Sequence, residues 1–183
     1  MQNTLNPGIN SVSPAASSYY IYALLHSPEY RLRYGPALLD DYPHIPMTSN
    51  RELMVSLCSL GEELSGFHLM NCVGSDVAHW PIGGSNRVDA APRFEEGGRV
   101  YINKTQYFAP VPPEVWEFQI GGYQVCHKWL KDRKGRTLSE EDITHYGNIV
   151  AALSETIRLM AEIDAVIEEH GGWPLVGSTN GSA

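Results

Sequence analysis

The sequence predicts an α+β fold, mainly helical, with a small antiparallel sheet at about residues 92–109 and a long C-terminal helix. Three features carry that expectation. Two capped amphipathic runs, starting near Ser49 and Ser139, keep apolar residues at helical spacing. Between them, Gly97-Gly98 joins Arg93-Phe94-Glu95 to Arg99-Val100-Tyr101-Ile102 in the manner of a hairpin. At 183 residues the chain is long enough to bury a core, and a single domain over residues 17–176 is expected. The flanking segments 1–16 and 177–183, rich in Asn, Ser, Pro and Gly, are expected to be flexible because they offer too little apolar surface to repay ordering.

In chain order, Ser17 or Ser18 is expected to cap a first helix over Tyr-Tyr-Ile-Tyr-Ala-Leu-Leu-His. Ser27, Pro28 and Glu29 supply the cap, the first helical position and the acidic first turn of a second helix, with a kink expected at Gly35-Pro36. Each proline of Pro43-His44-Ile45-Pro46 biases its predecessor toward extended geometry, so a stiff connector follows. Ser49 and Glu52 form a capping-box pattern before Leu53, Leu57, Leu60, Leu64, Phe67 and Met70. Residues 74–91 break into Gly, Ser, Pro and Asn and predict a loop with at most a short strand.

Gln106 to Ala109 predicts a third strand, Pro113 to Phe118 a short helix, and Tyr123 to Lys131 another after the interruption at Gly121-Gly122. Ser139 with Asp142 then opens a run in which Ile143, Tyr146, Val150, Leu153, Ile157, Met160 and Ile163 keep helical spacing until Gly171-Gly172.

Composition excludes several functional classes. No apolar run approaches the roughly 18 residues that span a bilayer, and the first eighteen residues carry neither a basic leader nor an apolar stretch, so a cytoplasmic location is expected. Cys58, Cys72 and Cys126 lack the spacing of a disulfide framework or zinc ribbon and are expected to be reduced thiols. The phosphate loop, the nucleophile elbow and the zinc-protease helix are all missing. No cofactor, and no metal beyond a conceivable trio of His68, Cys72 and His79, is therefore expected. Cys126 and His127 are adjacent on a helix and point about 100° apart, which forbids a nucleophile–base pair.

A net charge of -8 speaks against an anionic partner, but the charges are unevenly placed. Lys128, Lys131, Arg133, Lys134 and Arg136 fall in one nine-residue window opposed only by Asp132. Lys128 and Lys131 lie one helical turn apart. The following Arg133 to Arg136 is expected to leave the helix as a mobile cationic loop able to track phosphates, with Trp129 on the apolar side. Gln124 is a side chain able to pair bidentately with adenine. The same cations equally suit a solvated helix end that satisfies the C-terminal dipole.

Two blocks of residues carry a family resemblance. The first runs Tyr20-Ile21-Tyr22-Ala23-Leu24-Leu25-His26-Ser27-Pro28-Glu29-Tyr30-Arg31, continues through Arg33-Tyr34 and ends at Asp41-Tyr42-Pro43-His44-Ile45-Pro46. It resembles the segment that follows the catalytic domain in adenine-specific DNA methyltransferases of single-chain restriction–modification enzymes. The second, Val115-Trp116-Glu117-Phe118-Gln119-Ile120-Gly121-Gly122-Tyr123-Gln124-Val125 with Lys128-Trp129-Leu130-Lys131-Asp132-Arg133, is similar to the matching downstream block. Together they resemble the C-terminal specificity (target-recognition) domain of Type ISP enzymes over about residues 18–170.

In that family the full chain joins a nuclease, a helicase-like translocase and an N6-adenine methyltransferase to this terminal domain. The resemblance implies a non-enzymatic module that binds duplex DNA alongside the methyltransferase and helicase–nuclease portions. Relatives carry Arg where this chain has His44, which removes one phosphate contact from what can be carried over. The chain lacks the methyltransfer motif, since Asn6-Pro7-Gly8 does not satisfy it.

The expected DNA-binding residues are Gln124, Lys128, Lys131, Arg133, Lys134 and Arg136, with Arg87, Arg93, Arg99 and Lys104 of the sheet region near a groove. The alternative is a protein-interaction module that docks on a separately encoded methyltransferase–translocase, consistent with the acidic balance and the long last helix.

Overall fold

The computed structural model describes residues 13–40, 42–71 and 83–175. Its elements run α1 (Pro14–His26), α2 (Pro28–Asp40), α3 (Arg51–His68), β1 (Arg93–Glu95), β2 (Arg99–Tyr101), β3 (Tyr107–Phe108), α4 (Pro113–Glu117), β4 (Gln119–Ile120), β5 (Tyr123–Gln124), α5 (Val125–Lys131) and α6 (Glu140–Glu169). The helical, α+β character and the long last helix are as the sequence predicts. The chain divides into two compact units, one made of residues up to Ser65 together with those from Leu159 on, the other of Gly66–Arg158.

In the first unit, α1 begins earlier than expected, with Ser13 rather than Ser17 or Ser18 as its cap: the Ser13 hydroxyl accepts from the Ala16 amide at 3.2 Å. Ser13-Pro14 repeats the Ser27-Pro28 pattern, a capping hydroxyl before a proline that has no amide to leave unsatisfied. Ser27 is buried, and its Oγ accepts from Tyr30 N at 3.0 Å while donating to Asp164 Oδ1. The other Asp164 oxygen accepts from Glu29 N at 3.1 Å, so one carboxylate completes the α2 N-terminus. Helix α2 continues through Pro36.

The cap of α3 is Asn50 and not Ser49, its Oδ1 accepting from Glu52 N at 2.9 Å and Leu53 N at 3.2 Å. Leu53, Leu57, Leu60 and Leu64 are buried as the spacing predicts, each contributing roughly 1.5–3 kcal/mol through burial. Gly61 lets α1 and α3 touch: a Cβ there would lie 2.0 Å from the Tyr19 carbonyl oxygen. Two buried tyrosines hold the connector, Tyr20 Oη donating to Pro46 O at 2.7 Å and Tyr30 Oη to His44 O at 2.8 Å.

The apolar face of α3 stops at Phe67. Met70 lies beyond the helix at φ 58, where its amide bonds Phe67 O and the Asn71 amide bonds Gly66 O. That is a Schellman ending with methionine in the left-handed position that glycine usually fills.

The second unit holds a three-stranded antiparallel sheet in the order β1-β2-β3, with Phe94 opposite Val100 and Val100 opposite Phe108. Val100 and Phe108 turn inward onto Val115, Trp116, Leu130, Tyr146 and Val150. Ser139 and Asp142 form the expected reciprocal cap of α6, the Asp142 amide donating to Ser139 Oγ at 3.1 Å and the Ser139 amide to Asp142 Oδ2 at 3.2 Å. Hydrogen bonds that the carboxylate accepts, led by that from the Ser139 amide, hold the Asp142 pKa below its ordinary value.

A short ribbon of β4 and β5 was not expected. Gly121-Gly122 does not merely interrupt the chain but closes a two-residue hairpin, with φ +59 and φ +82. Helix α5 consequently starts at Val125, so Tyr123 and Gln124 lie on a strand instead of in the expected helix.

Candidate nucleic-acid interface

The cationic window is built on α5 and the turn after it. Residues 132–136 form a fixed turn and not the mobile loop expected from the sequence. The amides of Asp132, Arg133, Lys134 and Arg136 bond back to Lys128, Leu130, Lys131 and Arg133 carbonyls at 3.0–3.2 Å. Gly135, at φ +83, donates to Val88 O at 2.7 Å, and Val88 N donates to Arg136 O at 2.9 Å. Leu138 N reaches Asn86 O at 2.8 Å. These bonds tie the turn to the segment Asn86–Val88.

That segment is itself clamped by a buried cluster of amides. Gln106 Oε1 accepts from Asn86 N at 2.8 Å and from Asn103 Nδ2 at 3.0 Å, while Gln106 Nε2 donates to Asn86 Oδ1 at 2.8 Å. Asn103 Nδ2 also donates to Arg87 O at 3.0 Å, and Asn103 Oδ1 accepts from Gln106 N at 2.8 Å. A Cβ on Gly84 would sit 2.5 Å from the Gln106 side chain, so the Gly83-Gly84 stretch closes over this cluster. Buried polar groups so completely paired rigidify what they hold.

The six residues expected to bind DNA fall into three sets. Gln124, Lys128 and Lys131 line one open groove of about 340 Å³ with Gln119, Gly122, Tyr123, His127 and Asp132. Lys134 and Arg136 lie exposed on the turn beyond it. Lys131, Lys134 and Arg136 form no salt bridge among the described residues, although Lys131 is close enough to help hold the Asp132 pKa down. Lys128 is partnered by Asp132 at 2.7 Å, and that hydrogen bond holds the lysine pKa up and the aspartate pKa down. The pair is solvent-exposed and easily exchanged for another anion.

Arg133 does not join the set. Its side chain is only 23% exposed, its guanidinium lies 3.4 Å from the Trp129 ring centroid, and it bonds Trp129 O at 3.2 Å and Asp142 Oδ1 at 3.4 Å. Arg133 thus joins the end of α5 to the start of α6. Three sheet-region cations are likewise engaged: Arg87 with Asp89 at 3.1 Å, Arg93 with Glu95 at 3.6 Å and over Tyr101, and Arg99 over Tyr107. Lys104 lines a separate open cavity with Asn103 and Thr105.

Sequence reasoning missed Gln119, Tyr123 and His127 as groove residues. The Gly-Gly pair between Gln119-Ile120 and Tyr123-Gln124 was the available signal, since a two-residue glycine loop places its flanks opposite each other.

Other candidates resolve differently. Burial pushes the Cys126 thiol up to about 12, which leaves it a core residue. His68 Nε2 lies 2.9 Å from Thr156 Oγ1, whereas Cys72 and His79 lie outside the described residues. Among the described residues no group of three His, Cys, Asp or Glu could hold a metal, and no helix is long and apolar enough to cross a membrane. His44 is exposed, and its carbonyl serves Tyr30.

Three solved structures are similar to this chain, each over 84% of its length. One is a nuclease-deletion mutant of the Type ISP restriction-modification enzyme LlaGI in complex with a DNA substrate mimic (TM-score 0.62, 21% identity). Another is the DrdV-DNA complex (TM-score 0.69, 19% identity), and a third is the ATP-dependent Type ISP restriction-modification enzyme LlaBIII bound to DNA (TM-score 0.65, 18% identity). This chain spans 14%, 18% and 11% of those chains, respectively, and at such identities the likeness is one of fold. No curated protein matches it in sequence. Residues 2–162 match the Type ISP C-terminal specificity domain, and the chain belongs to that family.

Proposed function

We propose that this chain is a DNA target-recognition module of a restriction–modification system, binding duplex DNA through its second unit and catalysing nothing itself. The methyltransferase and helicase–nuclease portions of such an enzyme supply the chemistry. One observation carries this function: Lys131, Lys134 and Arg136 are exposed, form no salt bridge among the described residues, and sit on or next to a hydrogen-bonded turn beside an open groove. Cations held in place lose little freedom when phosphates arrive. Family membership and the DNA-bound state of the three similar structures lend support.

Titration with duplex DNA at several salt concentrations is the test. Three or four neutralised phosphates give a log–log slope of about -3 to -4. A salt-independent affinity, or one untouched by reversing Lys131, Lys134 and Arg136 together, would remove the basis for direct DNA contact.

A second function, docking on a separately encoded methyltransferase–translocase, is favoured by the first unit. Its ten acidic against three basic residues repel DNA, and it exposes Leu32, Tyr42, Met47 and Val55. Capture of that partner, undiminished by salt that abolishes DNA binding, distinguishes the two.

A further inference from the structure

We propose that the β4–β5 ribbon enters the major groove and reads an adenine through the paired amides of Gln119 and Gln124, an inference that rests on the DNA-binding function above. The ribbon register sets Gln119 opposite Gln124 and Ile120 opposite Tyr123. Directly opposed residues project from the same face, so the two amides stand side by side. Neither makes a side-chain hydrogen bond among the described residues.

The ribbon also lacks a buried face. Ile120 is 61% exposed and Tyr123 62%, and Tyr123 also reaches the groove, where the Lys128 ammonium lies 5.7 Å from its ring centroid. A two-stranded ribbon of this kind adds little stability of its own. Its glycine turn gives it the narrow tip that a groove admits.

Duplex DNA is the occupant that fits. The major groove, about 12 Å wide, accepts a two-stranded ribbon, and flanking phosphates then face whatever lies beside it. Lys128 and Lys131 line the same groove as the two glutamines, with Lys134 and Arg136 on the turn beyond. Positive charge therefore sits where phosphates would be. An amide presents a donor beside an acceptor, complementary to adenine N6-H and N7. Guanine presents two acceptors on that edge and would set O6 against the amide oxygen.

Enrichment from a random duplex pool by the full chain, followed by sequencing, provides the test. The wild type is expected to enrich adenine at one or two positions. Gln119→Ala and Gln124→Ala are each expected to lose that preference by about tenfold while keeping the salt slope. Gln124→Glu, an acceptor-only side chain, is expected to shift a position toward cytosine, whose N4 donates. Unaltered circular dichroism and unfolding midpoint exclude a folding defect, since both glutamines lie outside the core. If the wild type enriches no base, or the variants enrich the same bases as wild type, the inference is overturned. Salt-dependent binding in that same experiment would leave the phosphate contacts, and the broader function, standing.

Discussion

The two units of this chain differ most in charge. The first carries three basic and ten acidic side chains, the second ten basic and eleven acidic, so nearly all of the -8 net charge resides in the first. A pI near 5.3 describes neither unit well. Their interiors differ too. Leucines and tyrosines fill the first, with tyrosine hydroxyls reaching out to backbone carbonyls, whereas the second encloses a cluster of side-chain amides. In the second unit a buried polar network fixes a backbone turn, and the turn fixes cations; in the first, equally careful hydrogen bonding only holds helices and a connector. Charge in one unit is a surface property, and in the other it is positioned.

The largest effect is expected at the helix contact of the first unit. Gly61→Ala places a methyl against the Tyr19 carbonyl at 2.0 Å, backbone against backbone, and should cost about 3 kcal/mol or more in a urea-unfolding series. Gly35→Ala, which meets nothing within 4 Å apart from its chain neighbours, should instead change stability by no more than about 0.5–1 kcal/mol, the gain in helix propensity being offset by crowding from the Pro36 ring. A comparable loss from both would show that α1 and α3 do not approach so closely.

Next comes the amide cluster of the second unit. Gln106→Leu strands the Asn86 amide and one Asn103 donor, an expected cost of about 2–3 kcal/mol by the same assay. Because the cluster holds Asn86–Val88, to which the cationic turn is bonded, this variant should weaken DNA binding as well. Intact DNA affinity in a destabilised Gln106→Leu protein would separate the cluster from the interface.

Arg133 and Lys134 sharpen the contrast between positioned and merely present charge. Arg133→Ala should lower stability by about 1–2 kcal/mol, through lost stacking on Trp129 and the lost tie to Asp142. Lys134→Ala should leave stability within about 0.5 kcal/mol and reduce the salt slope of DNA binding by about one. An exchange of these phenotypes would reverse the assignment.

The smallest effect is a dependence on pH. The depressed pKa of Asp142 means that its stabilising contribution is complete above the ordinary carboxylate value of 3.8 and disappears as pH falls through the folded value. Asp142→Asn should therefore unfold at a lower temperature than wild type at neutral pH, and the gap should narrow on acidification below the ordinary carboxylate value as Asp142 itself becomes protonated. A gap of constant size would mean that the carboxylate charge contributes nothing.

Much of this architecture was legible in the sequence because its signals are local. The α3 and α6 helices announce themselves by apolar spacing, and Ser139 with Asp142 by a reciprocal cap that needs only four consecutive residues. Caps were misplaced where neighbours compete, as with Ser49 and Asn50, because both side chains can accept from an amide and only geometry selects one. The ribbon escaped notice because two-residue strands have no alternation to read. The cationic window was visible as composition, but the withdrawal of Arg133 was not, since it depends on Trp129 and Asp142 meeting in space. Gln119 required the register, and the Asn86–Asn103–Gln106 cluster looks in sequence like ordinary loop.

The most direct measurement sets equal charge changes in the two units against each other. One variant reverses Lys131, Lys134 and Arg136 to Glu; the other reverses Arg31, Arg33 and Arg51, the whole basic complement of the first unit, also to Glu. Both alter net charge equally, and at about 0.1 M salt the Debye length of about 10 Å limits long-range effects. The second-unit variant is expected to lose at least about a hundredfold in duplex DNA affinity and most of its salt dependence, with the first-unit variant within about threefold of wild type. Equal losses in the two variants, or a larger loss from the first unit, would contradict the placement of DNA binding on the turn that follows α5.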